Sequence, residues 1–488
     1  MPFDMKRFAK YAALVAVLTA FLGFYCTPIW DMDFWWHIAT GRHIVETHVL
    51  PGHDPFGMYE TAGLRSDVTL KGYWLAQVAL FFTYDFWGAN GVILLKAGIL
   101  ALCLVIIFAR SMLIGAGGIS ALLVLSFAGM TLLDFTGERT QLFSFLFFSL
   151  AIFLLDFSRE RQVMWPLYLL PPLMLLWANS HGGVALGGVV LGFIALGYAV
   201  ERRWFAGQNY GGKWLFVILA AAVLATLISP NGIDTYLYLF IHQFEVAEIL
   251  SRTSEYTSPV ALWREMGMML PFYWGFILLA AAALPKAIRK PHFTPLLLIL
   301  FLGSLSLSAF RYIPFFMLFA APYVALGLTR LMAAVKLPTI PLYGALLAAA
   351  LFTLGYGVKQ DQAFQGGIRA NHFPQGAVEF MQKNNLTGKV FNAHAWGGYL
   401  TWNLHPQAKV FIDGRNLDMQ IFRDYTHILW ATPYGVQQLE RNHFDFVLIP
   451  YANIFSGEQY QLNAYLLQNP QWRVIYRDQS GYLFAKTV

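Results

Sequence analysis

Long apolar runs separated by short polar breaks dominate the chain, and their lengths predict membrane-crossing helices. Eleven runs stand out, at residues 11–30, 91–109, 113–133, 142–157, 164–178, 184–200, 214–229, 270–284, 294–309, 313–328 and 339–357. A straight helix needs about 20 residues to cross the hydrocarbon layer, because each residue adds about 1.5 Å. Several runs fall short of that length. Two of the breaks are long, 31–90 and 230–269. The first contains Gly72 to Phe82, a pattern that predicts an amphipathic helix lying on the membrane surface. The second carries His242, Glu245, Glu248, Arg252, Glu255 and Arg264.

Beyond residue 357 the pattern changes. Apolar runs shorten to strand length and charged residues become frequent. Helices are predicted at 375–384, 396–403, 434–442 and 458–468, and strands at 389–393, 409–412, 444–449, 472–477 and 481–486. Buried strands alternating with helices predict a small α/β domain with a largely parallel sheet. The expected fold class is therefore an α-helical polytopic membrane protein, with a transmembrane domain over 1–357 and an α/β domain over 358–488.

Composition agrees with this reading. Hydrophobic residues make up 57% of the chain and charged residues 12%, against about 25% charged in soluble domains. The net charge of +6 is spread over short loops without a basic stripe, which argues against a nucleic-acid partner. Cys26 and Cys103 both lie in apolar runs, so neither a structural disulfide nor a CxxC zinc site is expected. The N-terminal run lacks a small-residue cleavage site and reads as a retained anchor. With the N-terminus in the cytoplasm, the inner breaks hold Lys6, Arg7, Lys10, Arg110, Arg159, Arg161, Arg202, Arg203, Lys213, Lys286, Arg289, Lys290, Arg330 and Lys336. That is the positive-inside pattern, and an odd number of spans then places 358–488 outside.

The remaining polar residues concentrate at the expected outer ends of the spans. Asp31, Asp33 and His37 follow the first run. Glu138, Arg139 and Gln141, then Asn179 and His181, then Glu255 and Arg311 follow at later outer ends. Each has a structural alternative as a cap, a turn or an inter-helix bond. Together, outward acids beside outward arginines suit a phosphate-bearing substrate, since arginine pairs phosphate oxygens in a planar fork and a carboxylate can take a proton from an attacking hydroxyl. Asp31, Asp33, His53 and Asp54 form a candidate oxygen-rich site for Mg or Mn. In the α/β domain, Asp413 and Arg415 follow a buried strand. That position suits either ligand contact or a structural pair that fixes a turn.

These residues carry a family resemblance. The run Asp31-x-Asp33-x-Trp35-Trp36-His37-x-x-x-Gly41, with Leu50-Pro51-x-His53-Asp54-Pro55-Phe56, resembles the first outer loop of bacterial polytopic glycosyltransferases of the GT-C superfamily. Arg139-x-Gln141-Leu142-Phe143-Ser144, Trp177-Ala178-Asn179-x-His181-Gly182-Gly183, Glu255-x-x-Ser258-Pro259 and Phe411-Ile412-Asp413-Gly414-Arg415 are similar to further marks of that group. Thr140 stands where proline is expected, and Tyr256 where tryptophan is expected. The resemblance implies an inverting transfer from a polyprenyl-phosphate or polyprenyl-diphosphate sugar, at the outer face of the bacterial cytoplasmic membrane, to a lipid, glycan or protein acceptor. It implies a first-loop carboxylate as base, Asp33 or Asp31, with His37 beside it. Arg139, His181 and Arg311 would then offset the charge of the leaving phosphate, and Gln141, Asn179, Glu255, Asp413 and Arg415 complete the candidate substrate contacts. The competing reading is a transporter or flippase of a lipid-linked saccharide. Transporters usually show internal repeats and polar groups near the bilayer midplane, whereas here no repeat is visible and the polar groups lie at span ends.

Overall fold

The computed structural model describes residues 4–61, 63–204, 211–238, 254–287, 293–333, 338–452 and 457–487. Among these residues seven helices are long and apolar enough to cross a membrane: Met5–Tyr25, Trp74–Leu113, Gly118–Phe135, Gln141–Arg161, Val184–Trp204, Phe310–Met332 and Thr339–Lys359. Four shorter apolar helices, Trp165–Ala178, Gly212–Ile228, Pro271–Ala287 and Phe293–Ser308, meet the remaining expected runs. The chain is a helical polytopic membrane protein that also carries a small sheet.

Boundaries shift for local reasons. The first helix starts early, because the Asp4 side chain accepts the Arg7 N–H and caps it. It ends at Tyr25 rather than residue 30, three positions before Pro28, which has no N–H to continue a helix. The expected surface helix and the second apolar run join in Trp74–Leu113, a 40-residue element broken at Gly88 by φ 63°, ψ −159°. Only glycine adopts that backbone geometry without steric cost.

Packing groups the described chain into two compact units that cut across the expected 357/358 boundary. One comprises Met1–Thr27, Asn90–Thr136 and Thr140–Gly366. The other comprises Pro28–Ala89, Gly137–Arg139 and Gly367–Val488. Composition registers which segments are apolar; compactness registers which segments share a core.

The first unit is helical. Its helices approach closely where side chains are small: a Cβ at Gly129 would lie 2.4 Å from the Phe21 ring, and Gly129 also accepts the Tyr25 hydroxyl at 2.9 Å. Two ion pairs lie within it, Arg110 with Asp156 at 2.8 Å and Arg159 with Glu201 at 2.9 Å. An unpaired charge in such surroundings would be strongly destabilising.

The second unit is built on a five-stranded sheet in the order β2-β1-β3-β5-β4. The strands are β1 Gly388–Asn392, β2 Ala408–Val410, β3 Phe446–Pro450, β4 Trp472–Arg477 and β5 Gly481–Lys486. β2, β1 and β3 run parallel, while β5 and β4 are antiparallel. The sheet is thus evenly mixed rather than largely parallel, because only three residues separate β4 from β5 and so short a link closes a hairpin. Helices lie where expected at Gln375–Lys383, Gly397–Leu404, Pro433–Arg441 and Gln461–Gln468; Met419–Leu429 is a further helix that the sequence reading did not anticipate. The first loop belongs to this unit. Gly57 bridges Val410 at the β2 edge, and the Met58 N–H donates to the Val410 carbonyl at 3.1 Å. This contact covers part of an otherwise open strand. Helix Phe34–Thr47 packs here too, with Trp35 1% exposed and edge-on to Tyr399 at 4.9 Å and Phe373 at 5.5 Å.

Candidate active site

The sheet-bearing unit gathers the acids of the first loop around one arginine. Thr27 and Pro28 end the apolar run, and the chain then turns through Asp31 into the helix that begins at Phe34. Asp31 is buried. Its Oδ2 accepts Arg139 Nε at 2.5 Å, and its Oδ1 accepts the Asp33 N–H at 2.9 Å. Glu138 is fully buried, and its Oε2 accepts the N–H groups of Trp30 at 3.3 Å and Asp31 at 3.1 Å. Residues 137–139 therefore clamp the loop from a segment more than a hundred positions away. The clamp requires glycine at 137, because a Cβ there would sit 2.3 Å from Asp31 Oδ2.

Asp33 is the accessible member of the pair. Its side chain is 21% exposed, against 2% for Asp31. Oδ1 accepts Trp36 Nε1 at 3.1 Å, and Oδ2 lies 3.3 Å from Arg139 NH1. A third constraint comes from the sheet. Gly414 follows β2, and a Cβ on it would lie 1.8 Å from Asp33 Oδ1 and 3.4 Å from Trp36 Nε1. Asp33 is thus held by an indole, a guanidinium and a backbone wall, with part of its carboxylate open. Burial pushes the Asp31 carboxyl up to about 7, against the opposing pull of Arg139. The two acids differ in kind: Asp31 has both oxygens engaged and anchors Arg139, while Asp33 is oriented and reachable.

His37 does not join this cluster at the surface. It is 3% exposed, its ring lies 3.6 Å from that of Trp36, and Nδ1 is 3.4 Å from Gln77 Nε2. The first turns of helix Phe34–Thr47 are packed into the unit's core, which carries His37 inward.

Asp413 and Arg415 form a closed network rather than an open ligand site. Arg415 donates to Asp54 through NH1 at 2.7 Å and NH2 at 3.1 Å, and to Asp413 through Nε at 2.9 Å. All three side chains are nearly inaccessible, and the two carboxylates outweigh burial to raise the guanidinium pKa. This network fixes the turn that presents Gly414 to Asp33. A shallow cleft runs beside it, lined by Asp54, Tyr59, Phe411, Asp413, Arg415 and Asn416. Asp54 is committed to Arg415 and His53 is exposed. Among the described residues no group of three His, Cys, Asp or Glu side chains is placed to hold a metal. The expected Mg or Mn set of Asp31, Asp33, His53 and Asp54 is therefore not assembled, and Arg139 supplies the positive charge between the two first acids.

The remaining candidates lie in the helical unit. Gln141 opens the helix Gln141–Arg161. Asn179 is 8% exposed and donates Nδ2 to the Leu175 carbonyl at 2.8 Å, closing the end of helix Leu170–Ala178. His181 follows it, with Nδ1 2.8 Å from Ser144 Oγ and 2.9 Å from the Gly183 N–H. Glu255 lies in a short turn of 3₁₀ helix, Ser254–Tyr256. Arg311 stacks over Tyr256 at 4.5 Å from the ring centroid. His242, Glu245, Glu248 and Arg252 lie outside the described residues. The sequence reading gave no individual role to Gly137, Gly414, Ser144 or Trp177, although each stands within or beside a run that it quoted.

No family model and no curated protein sequence matches the chain. Solved structures do. An oligosaccharyltransferase, AglB, of the archaeon Archaeoglobus fulgidus, in complex with an inhibitory peptide and a dolichol-phosphate, is similar with a TM-score of 0.56 at 12% identity, over 91% of this chain and 70% of that one. The Archaeoglobus fulgidus oligosaccharyltransferase in complex with zinc and sulfate is similar with a TM-score of 0.57 at 11% identity, over 99% and 73%. The same enzyme, tethered through a disulfide to an acceptor peptide containing the NVT sequon, gives 0.55 at 10% identity, over 99% and 74%. The likeness establishes that this chain shares the fold of these structures.

Proposed function

We propose that this protein is an integral membrane inverting glycosyltransferase that moves a sugar from a polyprenyl phosphate or diphosphate to an acceptor at the outer face of a bacterial cytoplasmic membrane. The observation that carries the proposal is the oriented, partly open Asp33 carboxylate, fixed by Trp36, Arg139 and the Gly414 backbone. Such a group suits a general base. The fold likeness supports the donor class, since one of the similar structures holds a dolichol-phosphate; the peptides in two of them favour a protein among the lipid, glycan and protein acceptors.

In the proposed step an acceptor hydroxyl or amide gives its proton to Asp33 as its heteroatom bonds to the anomeric carbon. The bond from that carbon to the phosphate oxygen breaks, and the oxygen leaves with the electron pair on the opposite face, which inverts the centre. Arg139 holds Asp33 in place and Asp31 holds Arg139. Within the helical unit, Arg311 and His181 are the groups suited to phosphate. The N-terminus is placed in the cytoplasm and the sheet outside, on the charge bias of the loops.

The test is transfer of label from polyprenyl-phosphate sugars by the purified protein in lipid nanodiscs. Asp33→Asn should abolish transfer while the protein still folds and inserts. Near wild-type turnover in that variant would overturn the assignment of the base.

A further inference from the structure

Arg65, in the helix Leu64–Lys71 of the sheet-bearing unit, differs from Arg139 and Arg415. Those two are each held by two carboxylates. Arg65 is half-buried, and no carboxylate among the described residues pairs with it. Its hydrogen bonding among those residues is a single contact, from Nε to the Asn416 carbonyl at 2.5 Å. NH1 is shielded from solvent and meets no acceptor among the described residues, while NH2, equally without one, stays open. A guanidinium offers five donors and cannot shed its charge. Shielding one of its nitrogens without an acceptor opposes folding, so such a group calls for an explanation.

The tether gives the group a fixed place. Asn416 has left-handed backbone, φ 46°, which asparagine accepts more readily than most residues. Its N–H donates to the Asp413 carbonyl at 3.2 Å, and its Nδ2 to the Gly414 carbonyl at 3.4 Å. That contact orients the amide, so Oδ1 is the acceptor that lies 2.9 Å from His394 Nε2. Asn416 and Thr61 both line the cleft beside this turn, and the Thr61 hydroxyl meets that of Ser66, the residue after Arg65, at 3.0 Å. Arg65 thus stands at the rim of the cleft, tied to the turn whose Gly414 walls Asp33. Residues 414 and 416 are separated by at most about 7 Å of chain.

We infer that Arg65 is a receptor for a substrate oxyanion, a phosphate or a carboxylate, taken in the fork of NH1 and NH2 while Nε stays on the Asn416 carbonyl. The fork matches two oxygens of one anion, and NH2 is the open arm by which it enters. The oxyanion supplies the acceptor that NH1 lacks. Its assignment to a substrate rests on the proposed glycosyl transfer, in which the donor carries a phosphate and an acceptor can carry either group. The anion chemistry rests on the arginine alone.

The test uses the full chain in nanodiscs with two variants, Arg65→Met and Arg65→Lys. The first removes the charge, and the second keeps it without the fork. Thermal unfolding is followed as sodium phosphate or sodium acetate replaces sodium chloride at constant ionic strength. At least one of the two anions should stabilise the wild type, should stabilise Arg65→Met clearly less, and should leave Arg65→Lys in between. Equal stabilisation of the wild type and Arg65→Met by both anions overturns the receptor. An arginine that only props the Asn416 carbonyl gives that result, with a melting temperature lowered by the same amount at every anion concentration. If Arg65→Met does not fold, Arg65→Lys decides, and a response equal to wild type overturns the fork. Binding of C55 polyprenyl monophosphate, with neutral C55 polyprenol as control, separates the two sources. A hydrogen bond to a charged group corresponds to roughly 10- to 100-fold in affinity. A loss of that size in Arg65→Met, with polyprenol binding unchanged, assigns the oxyanion to the donor. Unchanged affinity, with the response to free anions lost, assigns it to the acceptor. A wild-type chain that ignores polyprenyl phosphate yet responds to free anions through Arg65 would overturn the glycosyl-transfer reading and leave the anion site standing.

Discussion

Gly414→Ala is the substitution that most directly tests the wall behind Asp33. The new Cβ would be 1.8 Å from Asp33 Oδ1, and an ordinary carbon–oxygen contact is roughly 3.3 Å. The difference, about 1.5 Å, must come mostly from the carboxylate, because the turn bearing residue 414 is pinned by the Asp413–Arg415–Asp54 network. Rotating the Asp33 carboxylate costs little stability. It sacrifices the 3.1 Å bond from Trp36 Nε1, and one such bond is worth about 1 kcal/mol net. Its effect on rate is much larger, since a misplacement of about 1 Å can slow a positioned step about 10²-fold. The expected outcome is therefore a protein that folds with a melting temperature within a few degrees of wild type and transfers sugar about 100 times more slowly. Turnover is measured with labelled polyprenyl-phosphate sugar, and stability by thermal unfolding in the same nanodiscs. Adding Gly414→Ala to Asp33→Ala should slow the reaction no further, because both changes act through one carboxylate. Wild-type turnover in Gly414→Ala, or full additivity with Asp33→Ala, would refute the reasoning.

Asp33→Asn should lower turnover by about 10²–10⁴, the range for loss of a general base, whereas Asp31→Asn should chiefly loosen Arg139 and be rescued in part by raising the substrate concentration; equal kinetic profiles would reverse the two roles. Arg139→Lys should preserve the charge but not the reach to both acids, so turnover should fall while the protein remains folded, and full activity in this variant would show that Arg139 acts only as a charge. Arg415→Met should destabilise the sheet-bearing unit by about 3–5 kcal/mol, since it leaves the buried Asp413 and Asp54 carboxylates without a partner; an unchanged melting temperature would contradict the network. The Asp31 carboxyl, raised to about 7 by burial, keeps its proton in the folded state over a range where an unfolded aspartate, near 3.8, has lost it. Folding thus takes up a proton between about pH 4 and pH 7, so this group's contribution to stability should decline as pH rises through that window and level off above it. Asp31→Asn should remove that slope in pH-dependent melting curves.

Much of the architecture was legible because its causes are periodic. Hydropathy runs correspond to the apolar helices, and short apolar runs marked all five strands. Helix Met419–Leu429 escaped because its buried face, Tyr425, Ile428 and Leu429, is interrupted by Arg423, Asp424 and His427, so no continuous apolar run announces it. The acids and the arginine of the site were legible as residue types at span ends, yet their pairing was not. Nothing in the local pattern of Asp31 indicates that Glu138 will accept its N–H, or that Arg415 will take Asp54 out of a metal set. Such choices depend on which backbones approach closely. Here glycines at 137 and 414 permit the approach, and a glycine carries no sign of what it will lie against.

The sheet-bearing unit is assembled from three separated stretches of chain, and this gives the site a history during synthesis. Asp33 and Gly414 are 381 positions apart. At about 5–20 residues per second, the ribosome produces the base roughly 20–75 s before the backbone that holds it. Throughout that interval the Asp33 carboxylate lacks its wall. On the proposed function, a nascent chain that has not reached Gly414 would not begin to spend lipid-linked sugar. Readiness for chemistry is tied to synthesis past Gly414.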